Sequence, residues 1–295
     1  MRYFTTITLF IILLGCNGKD SSRYFRSASA VWPSGLQYEK NITVGFRNVF
    51  TSDKDDNAEL TIATSGIYRL WLNGEFVGHG PARAGHGYFR ADRWNLSDKL
   101  KEGNNIVAIE TVGYNVNSFY ITDQPSFLQA ELTLNNRIIA YTESNNPSFE
   151  AILLKERVQK VPRFSFQRPF VEYYRLDENF NRWKDDPDYP GSASITQADV
   201  GDAGKKNIIK RGIPYPDFKV VSPSMIVARG SMTTGIKRES YWKDRAVVNI
   251  GPELGGFIES DLEYNPSIEL QEMEIKELLS EDIVYSPRIN TGLAE

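Results

Sequence analysis

The stretch YRLWLNGEFV (residues 68–77) constrains the fold of this chain more than any other. Tyr68, Leu70 and Leu72 alternate onto one face of an extended segment, and Asn73-Gly74 follows at once. Both turn positions tolerate the positive φ that a two-residue hairpin needs, so 75–77 should return as the partner strand. The same grammar recurs along the chain. Short apolar runs at 41–50 (NITVGFRNVF), 59–64 (ELTIAT), 106–112 (IVAIETV) and 127–134 (FLQAELTL) are broken by polar, turn-rich segments such as 96–105 (LSDKLKEGNN). Asn135-Asn136 turns the last of these runs into 138–142. Strands of this length, with almost no amphipathic helix between them, predict an all-β β-sandwich or jelly roll.

The pattern changes after residue 150. Residues 155–218 are rich in Pro, Asp and Tyr and hold few clean strands, as in QRPFVEYYRL and FNRWKDDPDYPGS. The aromatics give this stretch something to pack against, so it reads as a long ordered connection. Strand-like runs resume at 224–228, 246–250 and 257–264, and 271–280 suits a helical turn or two. The expected organisation is therefore a β-sandwich over 29–150, an ordered connecting segment over 151–219, and an incomplete second β-sandwich over 220–295.

The first sixteen residues, MRYFTTITLFIILLGC, have a different purpose. Arg2 precedes an apolar run at 7–14, too short to cross a hydrocarbon core, which takes ~20 helical residues. A basic start followed by such a run is a secretory signal. Leu13-Leu14-Gly15-Cys16 resembles the bacterial lipobox, which makes 1–16 a lipoprotein signal peptide and Cys16 the lipidated residue. The bland alternative is an uncleaved anchor with an incidental cysteine. Residues 17–28 then form a polar tether, and the lipid anchor would hold the protein to a membrane of the cell envelope, at the outer membrane or cell surface. Cys16 is the only cysteine, so the exported part stands on its core without internal disulfides. Roughly 270 remaining residues are enough for one or two domains.

Several chemistries are excluded cheaply. His79 and His86 are the only histidines and neither is followed by Glu, so no helical zinc-protease motif exists. No Gly-x-Ser-x-Gly elbow occurs. The stretch GHGPARAGHG (78–87) fails the dinucleotide fingerprint because Arg83 stands where the third glycine belongs. Residues 53–57 (DKDDN) open like a calcium loop, but Ala58 replaces its glycine and Thr64 its closing carboxylate. No metal and no cofactor are expected. The net charge is -4 with no basic block, which argues against nucleic acid as a partner.

The carboxylates Glu110, Asp123, Glu131, Glu172 and Asp177 belong to no motif, and spacing along a β-chain does not give the separation that a glycosidase pair requires. A polar and aromatic constellation is more suggestive: Arg83, His86, Tyr88 and Arg90, then Tyr114, Asn115, Asn117 and Tyr120. Arg and Asn offer planar paired hydrogen bonds to sugar hydroxyls, and Tyr rings cover the apolar face of a pyranose. The competing reading has them lining loop ends and closing the sandwich.

The segments YRLWLNGEFVGHGPAR (68–83) and LKEGNNIVAIETVGYNVNSFYITDQPSFLQAEL (100–132) resemble the N-terminal part of bacterial α-L-rhamnosidases of glycoside hydrolase family 78. The resemblance covers residues 30–180, and YWKDRAVVNIGPELGGFIESDLEY (241–264) resembles the start of the next β-domain. It implies a galactose-binding-like β-sandwich. It also implies that the family's catalytic residues, carried on an (α/α)6 barrel C-terminal to these β-domains, have no counterpart in this chain. The leading expectation is a non-catalytic part of a rhamnosidase-like lipoprotein that binds a rhamnose-containing glycan or supports a glycoside hydrolase domain. Two alternatives stand beside it: a glycosidase whose active site lies within these strands, and a surface adhesin or scaffold with no sugar site.

Overall fold

A computed structural model describes residues 24–161, 167–170, 172, 174, 179–189, 195–200 and 206–219, and four short strands beyond residue 224. The lipidation site expected at Cys16 lies outside the described residues, as does most of the second sandwich expected over 220–295.

Twelve strands build the main body: β1 (Val31–Pro33), β2 (Ile42–Ser52), β3 (Ala58–Thr64), β4 (Ile67–Leu72), β5 (Glu75–Gly80), β6 (Tyr88–Asn95), β7 (Gly103–Gly113), β8 (Leu128–Leu134), β9 (Arg137–Tyr141), β10 (Glu150–Leu153), β11 (Gln197–Asp199) and β12 (Asn207–Lys210). They form two sheets. One has the order β11-β1-β8-β3-β6-β12, with β9 also on β8; the other has the order β10-β2-β7-β4-β5. Every pairing is antiparallel except that of β12 with β6. Among the described residues the only helical features are 3-10 turns at Ser97–Lys99 and Arg182–Lys184. The architecture is thus all-β, and no α/α barrel occurs among the described residues. Beyond residue 224, β13 (Met225–Ile226) pairs with β16 (Gln271–Glu272) and β14 (Gly230–Met232) with β15 (Leu262–Tyr264).

The sheets close over a core to which Trp32, Val44, Phe46, Leu60, Ile62, Tyr68, Leu70, Val107, Ile109, Phe127 and Leu132 contribute. These residues alternate along their strands as a half-buried sheet demands. Asn73 and Gly74 take φ of 54° and 81°, the conformation that turns β4 into β5. A buried asparagine, Asn105, ties this hairpin to the start of β7. Its Oδ1 accepts from Asn73 Nδ2 at 2.8 Å and from Lys101 N at 3.1 Å, and its Nδ2 faces Lys101 O at 2.7 Å.

The five-stranded sheet is buried on both sides. Residues 154–161 and 179–189 lie across its outer face, where Trp71, Ala108, Ile152, Leu154 and Trp183 form a second cluster. Gly45 makes this possible, because a Cβ there would stand 2.9 to 3.1 Å from three ring atoms of Trp183. The chain after residue 150 is therefore more than a covering layer: β10, β11 and β12 each extend a sheet edge.

Candidate functional site

Pro81–Gly87 and Asn117–Asp123 are joined where the Arg83 guanidinium lies 3.6 Å from the centre of the Tyr120 ring. Each loop is shaped by its own bonds. Arg90 Nε donates to Arg83 O at 2.6 Å and Tyr88 N to Gly85 O at 3.0 Å. In the second loop Asn117 Oδ1 accepts from Asp123 N at 2.9 Å, and Ser118 Oγ accepts from the Tyr120 and Ile121 N–H groups. Phe119 N donates to Gln167 O at 3.0 Å, which fixes the loop from a third side. The result is a braced patch with outward aromatics: Tyr88, Phe119 and Tyr120 are 50%, 66% and 57% exposed.

Of the residues singled out from the sequence, Arg83, His86, Tyr88, Asn117 and Tyr120 stand on these two loops or at the start of β6 with exposed side chains. Arg90 braces the loop from below, reaching Lys210 O at 2.9 Å as well as Arg83 O. Tyr114 and Asn115 turn the other way and are buried. Asn115 Nδ2 donates to Gln37 O and Glu39 O at 3.0 and 2.8 Å, and Tyr114 Oη accepts from Arg157 at 3.4 Å. Those two side chains close the sandwich.

A second cluster lies on the outer face of the five-stranded sheet. In the ladder Glu110 of β7 stands between Gly45 of β2 and Arg69 of β4. Its Oε1 is 2.5 Å from Arg69 Nη2 and 3.9 Å from Arg157 Nη1, and its Oε2 is 3.8 Å from Lys184 Nζ. Glu172 closes the ring, 3.2 Å from Arg157 and 3.7 Å from Arg69, with Tyr174 donating to it at 2.9 Å. Lys184 also sits 3.7 Å over Trp71. Burial acts to raise the Glu172 carboxyl, but Arg157 and Arg69 outweigh it and hold the group below its ordinary value. Burial pushes the Lys184 ammonium down to about 8 despite the facing Glu110. The space among these groups is about 10 Å³, room for at most one water.

Two carboxylates do converge here, yet both are held by guanidinium groups. A glycosidase acid needs a carboxyl with a raised affinity for its proton and a cleft that admits a sugar ring; here Glu172 is shifted the opposite way, and the space between the groups is far too small for a sugar. Glu131, another carboxylate weighed from the sequence, accepts N–H bonds from Arg26, Ser27 and Ala28 at 2.9, 2.7 and 3.3 Å and clamps the incoming chain. Asp177 lies outside the described residues. The cation partners Arg69, Arg157 and Lys184 carry no motif. The one signal for them was a glutamate inside the apolar run IVAIETV, since a buried carboxylate requires a partner. Among the described residues no group of three or more His, Cys, Asp or Glu could hold a metal ion.

Two sheets closed over one core, with a braced aromatic patch on the loops at one edge, are the architecture of a β-sandwich module. No protein-family model matches the sequence, and no curated protein gives a significant match. Among solved structures, a family 78 rhamnosidase of Bacillus sp. GL1 is similar at 23% identity and a TM-score of 0.61, over 72% of this chain and 22% of that one. An α-L-rhamnosidase from Aspergillus terreus is similar at 15% identity and a TM-score of 0.47, over 65% and 23%. The chain shares its fold with a β-domain of the Bacillus rhamnosidase and spans about a fifth of that protein's length.

Proposed function

We propose that this chain is a non-catalytic carbohydrate-binding module of the α-L-rhamnosidase type, which engages a rhamnose-containing glycan at the Arg83–Tyr120 patch and supports a glycoside hydrolase domain. The observation that carries this reading is the patch itself: exposed Phe119 and Tyr120 on one loop and Tyr88 where the other loop enters β6, with the Arg83–Tyr120 stack joining the two loops. A ring fixed before binding loses little side-chain entropy when a pyranose face covers it. The fold shared with a β-domain of a family 78 rhamnosidase supports the same reading.

The module is tethered to the cell envelope through a lipid on Cys16. The lipobox-like LLGC sequence supports that part, and acyl labelling that survives a Cys16→Ser substitution would overturn it. The glycan site is tested by affinity electrophoresis in a gel containing a rhamnose-branched polysaccharide. Retardation should fall at least about tenfold in Tyr120→Ala, equivalent to ~1.4 kcal/mol, and stay unchanged in Tyr114→Phe. Equal retardation of wild type and Tyr120→Ala refutes the site.

A further inference from the structure

The outer face of the seven-stranded sheet carries a groove well apart in the fold from the buried charge cluster. Its floor is Ala91 on β6. Arg93, two residues on, projects from the same face, and Lys210 of β12 pairs with Ala91 in register. Tyr24 forms one wall, and the chain turning at Gly212 brings Ile213, Pro214 and Tyr215 up as the other. The groove encloses about 580 Å³, within the range of small-molecule sites, ~300–1,000 Å³.

One wall is built with unusual care. Tyr215 Oη donates to Arg93 O at 2.8 Å and accepts from Arg93 N at 2.9 Å. The Trp94 ring packs at 4.3 Å and the Arg211 guanidinium at 4.1 Å. Arg211 is itself fixed by Asp92 Oδ1 at 2.9 Å and Ile213 O at 3.1 Å, while Tyr68 donates to the other oxygen of Asp92 at 2.5 Å. Burial pushes the Tyr215 hydroxyl up to about 12, so the ring stays neutral at ordinary pH. Even so, the residue remains 36% exposed. Tyr215 is thus locked in one orientation by the Trp94 ring and the Arg211 guanidinium, with about a third of its surface left open along the groove.

Two cations stand at the rim with donors to spare. The side chain of Arg93 is 56% exposed, and its ion pair with Glu59, at 3.9 Å, is too long for a hydrogen bond. Lys210 is exposed, and its ammonium has no ion pair among the described residues. Arg211, in contrast, is held by Asp92 and the Ile213 carbonyl, and its side chain is only 10% exposed.

We propose that this groove binds an acidic saccharide, a pyranose bearing a carboxylate, with the sugar ring against the exposed part of Tyr215 and the carboxylate on Lys210 and Arg93. A bare anion would make no use of the braced ring, and a neutral sugar would make none of the cations. Forked recognition of a carboxylate suits arginine in particular. The groove adjoins the Arg83–Tyr120 patch through Arg90, which bonds the carbonyls of Arg83, Lys210 and Arg211, but its ligand would meet different side chains, Lys210, Arg93 and Tyr215.

The test is calorimetric titration of the full chain with tri-galacturonic acid, its fully methyl-esterified form, and inorganic phosphate. The acid should bind at least tenfold more tightly than the ester and weaken with added salt. Lys210→Ala and Arg93→Ala should each lower that affinity at least tenfold, Lys210→Arg should restore it, and Tyr120→Ala should leave it unchanged. Both cations are at the surface, so an unchanged melting temperature verifies that the variants are folded. The proposal is overturned by absence of binding, by equal affinity for acid and ester, or by phosphate competing as well as the trisaccharide. Loss of binding in Tyr120→Ala with none in Lys210→Ala overturns it too, by moving the acid to the loop patch.

Discussion

Glu110→Gln separates a structural carboxylate from a catalytic one. Glu110 faces three cations, of which Arg157 and Lys184 are 3% and 9% exposed at the side chain. The substitution keeps the shape and removes the charge, leaving Arg157 to Glu172 and taking from Lys184 the carboxylate that faces it. Removing one partner from a buried ion pair costs ~3–5 kcal/mol. Arg69, 36% exposed, is reached by solvent and adds little to that figure. For a body of this size 1 kcal/mol moves the melting temperature by ~2–4 °C, so calorimetry or thermal circular dichroism should show a fall on the order of 10 °C. Adding Arg157→Met should recover part of the loss, because the pair is coupled. A melting temperature within about 2 °C of wild type would refute the reasoning. If that stability came with loss of a glycosidase activity, Glu110 would be a catalytic group.

Three further outcomes follow from the packing. Gly45→Ala places a Cβ against the Trp183 ring and should cost ~1–3 kcal/mol, the range of core overpacking; limited proteolysis should then cut first within 179–189, and an unchanged cleavage pattern would contradict the account. Asn105→Ala strips the bonds joining the β4–β5 hairpin to β7, and amide exchange at Asn73 and Ile106 should speed up while β8 stays protected. In the folded protein Lys184 releases its proton near pH 8, whereas an ordinary lysine holds it to 10.5. Between those values the unfolded chain carries the extra proton, so the stability of wild type relative to Lys184→Met should rise with pH across that window. A flat difference profile would show that the ammonium is not desolvated.

Much of the fold is legible in the sequence, and the parts that are not share a cause. Period-two alternation marks β2, β3, β4, β7 and β8, and Asn73-Gly74 marks the hairpin. β6 hides because Asp92 points inward among apolar neighbours. Its charge breaks the pattern, and its compensation by Tyr68 and by Arg211, 119 residues away, is visible only in three dimensions. β10, β11 and β12 are short edge strands of three or four residues, too brief for any period to register. The candidate site divides the same way. Arg83 and Tyr120 meet although 37 positions separate them, while Tyr114 and Asn115, next to Val116 in the same run, are drawn into the sandwich by bonds to Arg157, Gln37 and Glu39. Spacing along a strand says which face a residue takes, but not which long-range partner awaits it.

A glycan bound at the loop patch and left uncleaved is what the proposed function requires of this chain. The direct measurement is an NMR titration of the full chain with a rhamnose-terminated oligosaccharide, with the free sugar followed in the same tube. Shifts are expected at Arg83, Tyr88, Phe119 and Tyr120, none at Glu110 or Glu172, with the oligosaccharide intact throughout. Release of free rhamnose that stops in Glu172→Gln, or shifts centred on Glu110, would contradict the proposed function.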